Sequence, residues 1–269
     1  MRLAYLVIDA FADGPFTGNP AAVVRLEPDT AIDDSLRQRI AGEFNLSETA
    51  YVTPTPEPGV LGLRWFTPRR EVPLCGHATL AAAEAATRWG LTSGGQVRFA
   101  TLSGELTCVL DDGAVRMDFP ATLPQPAPCP PDAANVLGVD GPVRCLGTTA
   151  MNLTLQLTSA REVRAAQPDL VRLASWHDVG VTITAAGDDA RYDFVSRFFA
   201  PRAGIAEDPV TGSAHCTLGP YWAAQLGKRD LVGRQCSPRG GTVGVRVHGD
   251  RVELRGQAAV VMDGSLHLA

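Results

Sequence analysis

The chain has no cysteines at CxxC spacing, no cluster of lysine and arginine, and no apolar run near the ~20 residues a membrane helix needs. Each absence excludes a class. The six cysteines, at 75, 108, 129, 145, 216 and 236, lack metal-finger spacing, which predicts reduced thiols that mostly act as small buried hydrophobes. A formal net charge of −5 with no basic cluster leaves no footprint for a phosphate backbone, so nucleic acid is not an expected partner. The opening "MRLAYLVIDAFADG" enters a strand-like pattern without a basic segment, a long apolar core or a cleavage site. The expectation is a soluble cytoplasmic protein with no membrane partner.

What is present is a duplication. A shift of 133 places Arg64 on Arg197, Phe66 on Phe199 and Pro68 on Pro201, and upstream it places Asn19 on Asn152 and Arg39-Ile40-Ala41 on Arg172-Leu173-Ala174. A three-residue insertion then moves the register to 136, pairing Gly76 with Gly212 and Ala78 with Ala214. At "LDDGAVRM" and "VHGDRVEL" the register is 137, matching two hairpins that carry Val115 and Val252 on the returning strand. Such slow drift predicts two copies of one unit, near residues 1–120 and 143–257. The proline-rich stretch 121–142 suits a linker. The domains are therefore expected at 1–120 and 143–269, with the last ~12 residues able to pack back on the first domain.

Within each copy the pattern reads strand, helix, strand, strand, helix, hairpin. Asp33-Asp34-Ser35 signals a helix start, followed by Leu36, Ile40 and Phe44 on one face. "HATLAAAEAATRWG" is an alanine-rich helix with no strong polar face, which predicts burial, and Gly90 is its stop. Strands such as "GAVRMDF" and "DRVELRG" alternate as antiparallel strands do. The expected class is α+β: two pseudo-symmetric domains, each a mostly antiparallel sheet wrapped around a central helix.

Two related units present a groove as a natural ligand site. Gly76 and Gly212 sit where an irregular segment becomes a helix, so the backbone can approach a ligand and unpaired N–H groups can face an anion such as a carboxylate; the plainer use is helix capping, for instance by Ser213. Differences between the copies mark candidate chemistry. Glu48, in "FNLSETAYV", matches Val181 at the shift of 133, so a carboxylate there is not required by the fold. A carboxylate in an apolar cleft can pass protons near neutrality, although Ser47 and Glu48 could equally solvate a strand end. His77 faces Ser213 in the alignment and could donate to a substrate or relay a proton. Asp208, in the insertion "EDP", is a second candidate carboxylate or an ordinary Asp-Pro turn. Cys75 pairs with Thr211, so the halves supply no matched thiols.

"FTGNPAAVV", "LSETAYV", "RWFTPRREVPLCGHATLAAA" and "EDPVTGSAH" together resemble the PhzF-like phenazine-biosynthesis family, relatives of diaminopimelate epimerase, across essentially the whole chain. The resemblance implies a cofactor-free homodimeric isomerase acting on a small carboxylate. In well-understood members, the glutamate of "SET" moves a proton between carbons of trans-2,3-dihydro-3-hydroxyanthranilate. It implies catalytic roles for Glu48, His77, Asp208 and Ser213, and substrate binding by Asn19, Gly76, Thr211 and Gly212. Epimerase relatives use one cysteine per domain, and Thr211 or Val210 stands where the partner of Cys75 would be. The alternatives are a racemase or epimerase on an amino-acid-like substrate, or a non-catalytic binding protein. A metal site from Cys75, His77, His215 and Cys216 has poor ligand spacing, so no metal is expected.

Overall fold

The computed structural model of the chain describes residues 1–28, 30, 32–92 and 94–268. These form two compact units: Met1–Asp118 with Arg255–Ala269, and Phe119–Leu254. The first contains β1 (Arg2–Ala10), β2 (Asn19–Arg25), α1 (Asp34–Phe44), β3 (Glu48–Pro54), β4 (Val60–Phe66), β5 (Glu71–Val72), α2 (Gly76–Arg88), β6 (Gln96–Thr101), β7 (Gly104–Asp111) and β8 (Ala114–Pro120). The second contains α3 (Ala133–Leu137), β9 (Arg144–Thr148), β10 (Leu153–Gln156), α4 (Ala160–Ala165), α5 (Leu170–Leu173), β11 (Val181–Ala186), β12 (Phe194–Ala200), β13 (Ile205–Asp208), α6 (Gly212–Leu226), β14 (Asp230–Gln235), β15 (Gly241–His248) and the start of β16 (Arg251–His267). The remainder of β16 pairs antiparallel with β1, from Arg2 opposite His267 to Ala10 opposite Ala258.

The pairing rules of the two units are the same. Antiparallel β1–β2, parallel β2–β3, antiparallel β3–β4 and parallel β4–β6 match β9–β10, β10–β11, β11–β12 and β12–β14. Parallel neighbours cannot be joined by a tight turn, so each needs a crossover. In the first unit α1 and α2 supply these crossovers, and in the second α4–α5 and α6 do. A repeated ion pair sits at equivalent places. Arg64 grips Glu71 with two hydrogen bonds of 2.6 and 2.7 Å, and Arg197 grips Glu207 with two of 2.7 and 2.9 Å.

These anchors correct one expectation and leave another open. With Arg64 on Arg197, Thr49 opposite Phe66 matches Val181 opposite Phe199 and puts Gly180 at the place of Glu48, whereas with Asn19 on Asn152, Ala21 opposite Glu48 matches Thr154 opposite Thr182. The two ladders bracket Val181 and do not displace it. With Glu71 on Glu207, Asp208 occupies the place of Val72. The insertion lies earlier, in the single turn Pro201–Ala203 and the left-handed Gly204 that follows it. A further difference is that one first helix was expected per copy. The second unit has two short ones instead, because Pro168 cannot extend a helix and Asp169 caps a new start at Val171 and Arg172.

The central helices follow from their composition. Alanine side chains let α2 pack against β1, β2, β3 and β7, and its residues 77–83, 85 and 86 are buried. Asp33 caps α1 by accepting from Leu36 N at 2.7 Å. Ile40 joins Tyr51 and Phe66 in a core cluster against which Leu36 and Phe44 pack. Gly90 ends α2 at φ +66°. In α6, Pro220 lacks the N–H that would serve the Cys216 carbonyl. That carbonyl accepts from Thr122 N at 3.0 Å instead, which ties the proline-rich stretch to the helix. The same stretch leads into α3, whose Val136 and Leu137 are core residues of the second unit.

Candidate active site

In the first unit the crossover geometry brings together Asn19, Glu48, Cys75, Gly76 and His77. Asn19 opens β2, and Glu48 opens β3 opposite Ala21. Cys75 is the N-cap of α2 and makes no side-chain capping bond, with Gly76 and His77 as the first helical residues. His77 Nε2 lies 3.2 Å from Glu48 Oε2, both side chains being largely shielded, with 7% and 14% exposure. The separation is that of an ion pair, but the nitrogen is not aligned for a hydrogen bond. On the far side of the ring, Nδ1 is 3.3 Å from Asn19 Nδ2 and 3.5 Å from Cys75 Sγ. An amide N–H aimed at Nδ1 places the hydrogen of a neutral ring on Nε2, facing Glu48.

Burial opposes a charge on His77, but the Cys75 sulfur and the Glu48 carboxylate outweigh it and hold the ring's pKa well above 6.5. Burial, reinforced by the Glu48 charge, also pushes the Cys75 thiol up. Glu48, Cys75 and His77 offer ligand-type atoms within 4.8 Å of one another. Because the ring turns Nδ1 to the sulfur and Nε2 to the carboxylate, a cation on either nitrogen faces away from one donor.

In the second unit Asp208, Thr211, Gly212 and Ser213 stand together at the junction of β13 and α6. Thr211 is the N-cap of α6 without capping it. Its hydroxyl turns to the buried Asp208 carboxylate. Ser213, half-buried at the second helical position, does not supply the cap either. The carbonyl of Thr211 meets His215 Nδ1 at 2.8 Å, just as Thr79 Oγ1 donates to the Cys75 carbonyl at 2.6 Å. Burial drives the His215 pKa down to about 4, so above that pH the ring is neutral and Nδ1 carries the donated hydrogen.

Sequence reasoning missed Gln235, which is fully buried and reaches this turn from β14. Its signal was available: in "DLVGRQ" the inward positions are Leu231, Gly233 and Gln235, so the amide falls where the alternation calls for an apolar side chain. Asp9 was also missed. It is buried in β1 and accepts from Phe16 N at 2.7 Å, fixing the turn that leads to Asn19.

The duplicated α+β architecture is one shared with epimerase and racemase folds. A likeness in fold alone extends to a hydroxyproline epimerase of Agrobacterium vitis, with TM-score 0.60 and 9% identity over 98% of this chain and 92% of that one. The chain belongs to the phenazine biosynthesis-like (PhzF) family, whose profile matches residues 8–264. It is 46% identical over 269 residues to an uncharacterised isomerase of Pseudomonas aeruginosa, covering 100% of both chains. A crystal structure of a PhzF-family protein from Enterococcus faecalis superposes with TM-score 0.91 at 38% identity, again over 100% of both chains.

Proposed function

We propose that the chain is an isomerase that moves a proton on a small amino- or hydroxy-carboxylate, of the kind represented by trans-2,3-dihydro-3-hydroxyanthranilate, with Glu48 as the acid–base shuttle. The observation that carries this reading is the 3.2 Å approach of Glu48 Oε2 to His77 Nε2 at the uncapped start of α2. A carboxylate held against a proton-rich ring can take a proton from one carbon and return it to another without a cofactor. His77 steadies the carboxylate, and Asn19 holds His77. The turns at Gly76 and Gly212, with their adjoining N–H groups, are assigned to the substrate carboxylate. Asp208, Thr211 and Ser213 are assigned to its amine or hydroxyl. Holding the substrate in a reactive pose contributes as much as the base.

Two-thiol racemisation has less support, because Thr211 stands at the place of Cys75 and supplies no second sulfur. The family relationship also suggests a homodimer in the cytoplasm. No helix among the described residues is long and apolar enough to cross a membrane. The test is carbon-bound proton exchange in D2O, followed by NMR across a panel of cyclic and acyclic amino-carboxylates, with Glu48→Gln alongside. Exchange or isomer formation that is lost in the variant supports the shuttle. Activity that persists in the variant rejects it.

A further inference from the structure

Thr211 is held on every polar side. Its N–H donates to Gln235 Oε1 at 2.9 Å, and its carbonyl meets His215 Nδ1 at 2.8 Å. Gln235 Nε2 donates to the Asp208 carbonyl at 2.8 Å and to Thr211 Oγ1 at 3.1 Å. These partners settle the orientation of the Gln235 amide, since a backbone N–H must face its oxygen and a backbone carbonyl its nitrogen. They also settle the hydroxyl. Thr211 Oγ1 accepts from Gln235, so its own hydrogen is directed to Asp208 Oδ2. A fully buried amide thus fixes the rotamer of Thr211 and, through it, the Asp208 carboxylate.

Among the described residues the first unit has a different arrangement at the equivalent place. With Arg197 on Arg64, Gln235 falls near the end of β6, where Thr101 bonds locally to the Gly104 carbonyl. The fold therefore does not need a buried amide there. We infer that Gln235 is a positioning residue. It aims the Asp208 carboxylate and sets the first turn of α6 for a ligand carrying an ammonium or hydroxyl beside its carboxylate. The inference rests on the reading that Asp208 orients the substrate.

The test compares Gln235→Met, Asp208→Asn and the double variant in the D2O exchange assay with trans-2,3-dihydro-3-hydroxyanthranilate. Asp208 carboxyl 13C and Thr211 amide signals are recorded on each ligand-free protein. Gln235→Met is expected to lower kcat/KM about 100-fold, the scale of a misplaced orienting group. In the Asp208→Asn background the same change should cost less than about 3-fold, because both act through one carboxylate. Gln235→Glu keeps the size of the side chain and the acceptor for Thr211 N–H. It lacks the N–H groups that donate to the Asp208 carbonyl and Thr211 Oγ1, so it is expected to lose activity as Gln235→Met does, and it carries the test where the methionine variant does not fold. Additive losses, or unchanged Asp208 and Thr211 signals, overturn the proposal. A wild-type protein silent on this substrate counts against the functional reading, and the NMR signals then decide the role of Gln235 by themselves.

Discussion

His215 makes the stability of the second unit depend on pH, by an amount the structure lets us work out. The ring is fully buried, its centroid 5.7 Å from that of Phe194, on which Trp222 stacks with centroids 6.1 Å apart. Gly233 leaves room for the packed rings: a Cβ there would lie 2.5 Å from Phe194 Cζ and 3.1 Å from the imidazole Cδ2. Nδ1 is bonded to the Thr211 carbonyl, and Nε2 finds no partner among the described residues, so a second proton would bury an uncompensated cation. Burial accordingly lowers the pKa from 6.5 to about 4. A histidine with a depressed folded pKa binds fewer protons folded than unfolded in that interval. Its contribution is therefore constant above about pH 6.5 and declines as pH falls toward 4. Integrating across the window gives a loss of about 3 kcal/mol by pH 4. Carboxylates titrate in the same range, so the measurement is a difference. Urea denaturation of the wild type and of His215→Thr is followed from pH 7 to pH 4. Threonine is the residue that bonds the matching carbonyl in the first unit. Its smaller size costs stability at every pH and cancels in the slope. The stability advantage of the wild type should shrink by about 3 kcal/mol over the window. A difference flat to within about 0.5 kcal/mol, or an imidazole NMR titration centred near 6.5, refutes the reasoning.

Other perturbations separate the buried interactions from the exposed ones. Glu207→Gln breaks a bidentate pair whose side chains are 12% and 15% exposed and should cost about 3 kcal/mol or more, whereas Asp230→Asn, in an exposed pair with Arg246, should leave the urea midpoint essentially unchanged; urea melts decide. Gly18→Ala forces a side chain into φ +73° and against the Ala10 carbonyl, and should lower stability by at least about 1–3 kcal/mol, read as a fall in Tm. In the native protein an alkylating reagent should label the exposed Cys129 first. Cys108, with its pKa pushed up to about 12, and the buried Cys75 should react only after denaturation, as peptide mass spectrometry would show.

The repeat was legible because it is written in side chains that the fold uses twice. Arg64 and Arg197 each grip a glutamate, and Gly76 and Gly212 each start a central helix. What the alignment could not carry was register. A pairing that slips by one residue leaves the sequence pattern intact, and the ladders on the two sides of β3 place Glu48 against Gly180 and Thr182 respectively, either side of Val181. The second unit's broken first helix was hidden for a similar reason: Arg172-Leu173-Ala174 matches Arg39-Ile40-Ala41, while Pro168 lies just outside the match. Glu48 and His77 stood out as differences between copies, but their 3.2 Å approach depends on the β2–α1–β3 crossover, which spacing along the chain does not encode. Gln235 escaped because no counterpart drew attention to it, although its inward place in β14 was already anomalous.

The two copies hold the same backbone turn by different means, and this bears on how they divided their roles. In both, residue i+4 of the central helix bonds the N-cap carbonyl: Thr79 to Cys75, His215 to Thr211. That bond stabilises the helix start and is shared, so it belongs to the fold. The groups around it have diverged. The first copy surrounds its cap with a thiol, an imidazole and a carboxylate whose proton affinities depend on one another. The second surrounds its cap with an amide, a hydroxyl and a carboxylate locked by hydrogen bonds. On the proposed reading, the coupled groups of the first copy suit proton exchange and the hydrogen-bonded groups of the second suit aiming a ligand. A neutral His215, held so down to about pH 4, is consistent with the second task. The duplication thus lets one scaffold keep a titrating cap and a rigid one, each built from the same strand, turn and helix.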